Sequence, residues 1–154
     1  MTEEILFKYK PLKDNLLQIL HEIQDLHPQH YLPEEDLLKV AKYLNISMSS
    51  VYGVVSYYSM FALKPRGKNI IRLCQSPVCD ISGSQQIADK LKEILKIDFG
   101  ETTIDGLFTL ESCECLGLCG NKPSMMINKE VYTGLNIEII DMIINDIRNN
   151  SKGL

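Results

Sequence analysis

The pattern of apolar residues changes part-way along this 154-residue chain, and that change is the strongest constraint on its fold. Before the basic, turn-rich segment 64–68, apolar residues recur every three or four positions, which indicates amphipathic helices. After it, short runs with β-branched residues alternate with helical patterns, which indicates strands and helices together. We therefore predict an α+β protein, with a three-helix segment over residues 1–66 and an α/β sandwich over residues 67–154.

Three helices are predicted in the first part, over residues 11–27, 33–45 and 47–63. Asn45 suits the C-terminus of the second helix, because asparagine tolerates the left-handed backbone angles found there. Ser47 suits the position that caps the third helix, because its hydroxyl can accept a hydrogen bond from a free backbone N–H. This part of the chain is thus predicted to be entirely helical.

The second part is predicted to have the order β-α-β-β-β-α, which fits a small sandwich of thioredoxin type. We expect Ser82 or Ser84 to cap its first helix. The predicted strands cover residues 69–73, 108–110, 124–128 and 131–132, and the last helix begins near Ile137.

Charge and hydropathy exclude two classes of protein. A net charge of −4 and an isoelectric point near 5.4 argue against a general nucleic-acid binder, which needs a strongly basic face. Residues 45–63 carry no charge and are nominally long enough to span a bilayer, but seven of these nineteen residues are not apolar, so a buried amphipathic helix is favoured over a membrane span. The N-terminus lacks the apolar core of a secretory signal. We predict a cytoplasmic location, with membrane association only through a complex.

All five cysteines fall in the second part of the chain: Cys74, Cys79, Cys113, Cys115 and Cys119. Their number is odd, and the cytoplasm keeps thiols reduced, so tight clustering indicates metal ligation rather than disulfide bonds. The pair 74/79 follows the first strand, and the pair 115/119 lies between two later strands, so both loops can meet at one end of the sheet. Spacing alone leaves open either structural zinc or an iron–sulfur cluster, both of which accept four thiolates.

The sequence ECLGLCGNKPSMMIN, residues 114–128, resembles the second half-site of the thioredoxin-like [2Fe–2S] subunit of respiratory complex I. That family includes small subunits of NAD-linked, often electron-bifurcating, hydrogenases and formate dehydrogenases. Cys74-x4-Cys79 matches the family's first half-site. The resemblance implies that Cys74, Cys79, Cys115 and Cys119 bind the cluster. Cys113 is two residues before Cys115 and would face the same side of a strand, so it could compete as a ligand, but we expect it to pack as a small apolar residue.

The same resemblance implies what the chain does. It would transfer single electrons within an NAD(H)-linked, flavin-containing oxidoreductase of NADH dehydrogenase or bifurcating hydrogenase type, without a complete active site of its own. FMN and NAD(H) would belong to a partner subunit, on which the helical segment would dock, and further iron–sulfur subunits would join the complex. No nucleic acid and no direct membrane insertion are expected.

Two alternatives remain at this point. One is a stand-alone ferredoxin of the same fold. The other is a zinc-stabilised regulator, because residues 37–58 imitate a helix-turn-helix motif. The would-be recognition helix over residues 47–63 contains no Lys, Arg, Asn or Gln, however, and readers of base edges need such donors.

Replacing Cys113 by serine is expected to leave the cluster in place, whereas the same substitution at Cys115 is expected to remove or degrade it. The reason is that only Cys115 of the two is predicted to be a ligand. Visible absorption and reduced-state EPR of the two variants check this. Equal behaviour of the two variants would overturn the ligand assignment.

Overall fold

A division between Lys68 and Asn69 separates the chain into two units, each with its own apolar core. The computed structural model describes residues 2–151. The division falls two residues after the predicted end of the helical segment. Across residues 2–151 no helix has both the length and the apolar character needed to cross a bilayer.

Within residues 2–68 the structure has four α-helices, where the sequence pattern predicted three. The additional one, α1, covers only seven residues at the start of the chain. The elements are α1 (Thr2–Lys8), a 3₁₀ turn (Lys13–Asn15), α2 (Leu16–Leu26), α3 (Glu34–Leu44) and α4 (Met48–Tyr57). Their apolar faces form a core that includes Ile19, Ile23, Leu37, Val40 and Val51.

Local sequence signals set the turn between α3 and α4 as predicted. Asn45 ends α3 with φ of 52°, in the left-handed region that frees the chain to change direction. Ser47 caps α4, because its Oγ accepts a hydrogen bond from the backbone N–H of Ser50 at 3.2 Å. A helix-turn-helix arrangement therefore exists here, although α4 carries no basic side chain.

The predicted extension of α4 to residue 63 is wrong, because the helix ends at Tyr57. Gln24 of α2, which is buried, bonds the segment that follows. Its Nε2 donates to the carbonyl of Met60 at 2.9 Å, and its Oε1 accepts from the N–H of Ala62 at 2.8 Å. One glutamine side chain thus satisfies two backbone groups beyond the helix end.

Within residues 69–151 the predicted order of strands and helices is confirmed, with one short extra helix after the first strand. The elements are β1 (Asn69–Cys74), α5 (Pro77–Ile81), α6 (Ser84–Leu95), β2 (Phe108–Cys113), β3 (Ser124–Ile127), β4 (Glu130–Thr133) and α7 (Ile137–Ser151). The sheet order is β2-β1-β3-β4, with β1 and β2 parallel and the other pairs antiparallel.

Alternate residues of the central strands build the second core. Ile71 and Leu73 of β1 face the same side as Leu110 of β2, as the period of two in a strand requires. They pack with apolar residues of α6 and α7, among them Leu91 and Ile140. Cys74 is therefore on the opposite side of β1 from Leu73.

The expectation that Ser82 or Ser84 caps α6 is wrong. The capping position is Gly83, with φ of 96° and no side-chain hydrogen bond. The Ser82 hydroxyl donates to the carbonyl of Val78 at 2.8 Å, and the buried Ser84 hydroxyl donates to the carbonyl of Cys74 at 2.6 Å. Ser84 therefore ties the start of α6 to the end of β1.

Replacing Gln24 by leucine is expected to lower the free energy of unfolding by about 1–3 kcal/mol, because two backbone groups lose their partner. Gln18, exposed on the same helix, provides the control, and its replacement by leucine should change stability by no more than about 0.5 kcal/mol. Urea unfolding of both variants measures the difference. Equal effects would contradict the role given to Gln24.

Candidate metal centre

Strand pairing brings both cysteine pairs to one edge of the sheet, as predicted. Cys74 ends β1 and is paired in register with Cys113, which ends the parallel strand β2. Because β3 runs antiparallel to β1, its first residue, Ser124, lies at the same edge. The loop over residues 114–123, which carries the second pair, therefore leaves and returns at the edge where β1 ends.

The first pair is buried, since Cys74 and Cys79 each expose 1% of their surface. Cys79 lies within the short helix α5 rather than on a loop, which corrects the sequence prediction for that residue. A serine hydroxyl lies beside each sulfur. The Oγ of Ser76 is 3.4 Å from the Sγ of Cys74, and the Oγ of Ser124 is 3.7 Å from the Sγ of Cys79.

The second pair is exposed on the loop over residues 114–123. The sulfur atoms of Cys115 and Cys119 are 3.9 Å apart. The backbone N–H of Gly117 donates to the sulfur of Cys115 at 3.4 Å. Gly117 has φ of 76°, a conformation in which glycine avoids steric cost, so the loop can turn this N–H towards the sulfur.

Hydrogen bonds favour the thiolate at Cys74. Burial opposes ionisation, but donors outweigh it and lower the pKa of this thiol to about 7: the side chain and backbone of Ser76, the backbone N–H of Leu116 and the thiol of Cys79. Leu116 belongs to the second loop, so that loop lies close enough to Cys74 to favour its ionised form. The thiolate is the form that binds metal.

Two other thiols, those of Cys113 and Cys119, have a raised pKa and are harder to ionise. Burial raises the pKa of Cys113 to about 11, and the nearby charge of Cys74 adds to that effect. A hydrogen bond with Cys115 raises the pKa of Cys119. Cys113 is half-buried beside Cys74. That position is compatible with the predicted packing role, which stays a prediction.

The donor set fits an iron–sulfur cluster. Thiolates suit zinc or iron–sulfur centres, and two thiolates on one tetrahedral metal ion are about 3.8 Å apart when each bond is about 2.3 Å long. The separation of 3.9 Å between Cys115 and Cys119 is close to that value. In residues 2–151 no three His, Cys, Asp or Glu side chains are grouped so as to hold one ion. Among the described residues, the thiols thus lie close together in pairs rather than in a group of three or more, and their role as ligands remains a prediction.

The turn between β4 and α7 anchors the second cysteine loop. The N–H of Gly134 donates to the carbonyl of Asn121 at 2.9 Å, and the N–H of Leu135 donates to the carbonyl of Pro123 at 3.2 Å. Gly134 has φ of 63°, and a Cβ there would lie 2.7 Å from the side-chain nitrogen of Asn121. A larger residue at position 134 would have to displace the Asn121 side chain and adopt a backbone conformation that favours glycine. The peptide bond before Pro123 is cis.

Sequence reasoning missed the polar groups around the first pair. The role of Ser76 could have been predicted from the sequence, because a serine two residues after a cysteine can contact the sulfur of that cysteine. Ser124 gave no such signal, because it is 45 residues from Cys79 in the chain. The sequence likewise gave no signal that the N–H of Leu116 influences Cys74.

A mixed sheet with helices packed on it and two cysteine pairs at one edge defines a thioredoxin-like domain, the predicted fold. The structure resembles that of an NAD⁺-reducing [NiFe]-hydrogenase in the air-oxidized state, with a TM-score of 0.78 and 21% identity. The match covers 88% of this chain and 23% of that longer chain. At this identity the likeness concerns the fold alone.

Sequence comparison gives the family. The model of the thioredoxin-like [2Fe-2S] ferredoxin family matches residues 2–148, so the chain belongs to that family, as its cysteine motif indicated. The match spans both units, including the helix-turn-helix arrangement of the first.

Curated relatives come from two kinds of complex. A subunit of the NADH-quinone oxidoreductase of Rickettsia bellii is 36% identical over 150 residues, which are 97% of this chain and 90% of the relative. The HndA subunit of the NADP-reducing hydrogenase of Solidesulfovibrio fructosivorans is 36% identical over 118 residues, which are 77% of this chain and 68% of the relative. Both kinds of complex were among the predicted groups.

Replacing Gly134 by alanine is expected to displace the Asn121 side chain and reduce cluster content, because the added Cβ would occupy the place of the Asn121 amide beside the cysteine loop. Gly106 is the control, because its φ of 66° is similar while no atom of the described residues lies within 4 Å of its Cβ. Both variants should lose about 1–2 kcal/mol of stability from backbone strain. Only the Gly134 variant should lose iron on gel filtration. Equal iron content in the two variants would contradict the anchoring role.

Proposed function

We propose that this chain is a one-electron-transfer subunit that holds a [2Fe–2S] cluster through Cys74, Cys79, Cys115 and Cys119. The observation that carries the proposal is the placement of the two thiol pairs at one sheet edge. Cys74 ends β1 there, and the loop that carries Cys115 and Cys119 returns to that edge at Ser124, whose hydroxyl is 3.7 Å from the sulfur of Cys79. Membership of the [2Fe-2S] family supports the same assignment.

The two pairs would contribute in different ways. Cys74 and Cys79 are buried, so water is excluded from that side of the site, and the lowered pKa of Cys74 favours the thiolate needed for binding. Cys115 and Cys119 are exposed, so they mark the side nearest to a redox partner. A bound cluster of this kind takes up and releases one electron at a time.

We further propose that the chain works within a multisubunit, NAD(H)-linked complex. Its relatives carry the names of subunits of NADH-quinone oxidoreductase and of an NADP-reducing hydrogenase. FMN and NAD(H) would be bound by a partner subunit, and other subunits would carry further iron–sulfur clusters. Those subunits would determine the terminal electron donor or acceptor of the complex.

The helical unit would dock on the flavin-containing partner. Its α4 and the segment after it expose aromatic and apolar side chains, of which Tyr57 is 81% exposed and Tyr52 and Met60 are about half exposed. Tyrosine is common in protein interfaces because it combines a large apolar ring with a polar tip. This docking also distinguishes a complex subunit from a stand-alone ferredoxin.

A cytoplasmic location is part of the proposal. All five cysteines, which lie in the described part of the chain, are free thiols. Thiols that must bind a cluster need a compartment that keeps them reduced, and the cytoplasm is one.

Protein purified without oxygen from its own cells through an affinity tag is expected to be coloured. We expect two irons and two sulfides per chain, an EPR signal after dithionite reduction, and a co-purified flavin subunit. Iron and sulfide analysis, EPR and flavin fluorescence measure these. Pale, EPR-silent protein with one zinc per chain would contradict the cluster. Loaded protein without flavin would favour the stand-alone ferredoxin instead.

A further inference from the structure

Two buried serine hydroxyls lie against the sulfurs of the first cysteine pair. Ser76 is 7% exposed and Ser124 is 1% exposed, and their contacts with sulfur are 3.4 Å to Cys74 and 3.7 Å to Cys79. Among residues 2–151 no buried side-chain nitrogen or oxygen lacks a hydrogen-bond partner. For these two hydroxyls the contact found is with a cysteine sulfur.

The direction of these hydrogen bonds depends on the state of the cysteine. Between a serine and a free thiol, either group can donate. A thiolate has no proton and can only accept, and the thiolate is the form that binds a metal. When the site is loaded, both serines must therefore donate to sulfur.

Hydrogen-bond donors are unevenly distributed over the site. The hydroxyl of Ser76 approaches Cys74, and the hydroxyl of Ser124 approaches Cys79. At the exposed pair the N–H of Gly117 approaches Cys115. Among the described residues, more donors thus surround the buried pair than the exposed pair.

Donors to a ligand sulfur stabilise negative charge on the centre. One-electron reduction adds negative charge, so a donated hydrogen bond stabilises the reduced form more than the oxidised form. Burial acts in the opposite direction, because it penalises the more highly charged form. Burial is greatest at Cys74 and Cys79, so hydroxyl donors to these sulfurs would offset part of the cost of burying the reduced form.

The geometry points to Ser76 and Ser124 as hydroxyl donors that hydrogen-bond the ligand sulfurs of Cys74 and Cys79 and raise the reduction potential of the cluster. This inference rests on the proposed function, because it requires the four cysteines to hold a cluster. It assigns a role to two residues besides the four cysteines that the resemblance gives as ligands.

Ser84 provides a matched control in the same place. It is 1% exposed, and its hydroxyl donates to the backbone carbonyl of Cys74 at 2.6 Å rather than to a sulfur. Replacing it by alanine removes a buried hydroxyl beside Cys74 without removing a donor to the ligand atom. A purely structural effect of losing a buried serine would therefore appear in this variant too.

The test is an EPR-monitored redox titration of the full chain with cluster, in the wild type and in the S76A, S124A and S84A variants. The S76A and S124A variants should have lower midpoint potentials than the wild type, and the S84A variant should not. The S76T and S124T variants keep the hydroxyl and should restore the potential at least in part. Thermal unfolding of each variant reports the structural cost separately.

A second measurement keeps the test independent of stability. After exchange into D₂O, hyperfine spectroscopy of the reduced wild type should detect exchangeable deuterons near the cluster. One such coupling should be absent from the S76A variant, and another from the S124A variant. The S84A variant should keep both.

The outcomes distinguish a failure of the proposed function from a failure of the role given to the two serines. Wild-type protein that binds no iron would overturn the proposed function and this inference with it. A loaded wild type whose S76A and S124A variants keep its potential and its couplings would overturn the inference alone. So would an S84A variant whose potential falls as far as theirs.

Discussion

The parallel pairing of β1 with β2 is the constraint on which the rest of the site depends. It places the ends of both strands at one edge of the sheet, and the antiparallel strand β3 begins at that edge. Two cysteine pairs that are 35 residues apart in the sequence are thereby brought together. A shift of β1 by one residue would turn Cys74 to the helix-covered face, because strand residues alternate between faces.

The two cysteine pairs at this edge have different environments, so the site has a buried side and an exposed side. The buried pair lies among hydroxyl and N–H donors, while the exposed pair lies on a glycine-containing loop open to solvent. Donors near the buried pair favour the ionised sulfur that burial alone would disfavour, and they lower the pKa of Cys74. Under the proposed function, electrons would be exchanged with a partner at the exposed side.

Features that depend on neighbouring residues were more predictable from the sequence than features that depend on distant contacts, although Gly83 caps α6 in place of the expected serine. Asn45 and Ser47 act as predicted because capping involves residues a few positions apart. The early end of α4 was not predictable, because Gln24, 36 residues before Met60, bonds the backbone that follows the helix. The cysteine pairs carried a strong signal in their spacing, whereas Ser124 reaches Cys79 only through the pairing of β3 with β1.

The contact between Gly134 and Asn121 joins the last helix to the site energetically, although that helix contributes no cysteine. The backbone bonds from Gly134 and Leu135 reach the loop that carries Cys115 and Cys119. Whatever binds and orders that loop also stabilises the turn that leads into α7, by thermodynamic reciprocity. Occupancy at the edge of the sheet and order in the turn that leads into α7 thus belong to one cooperative equilibrium.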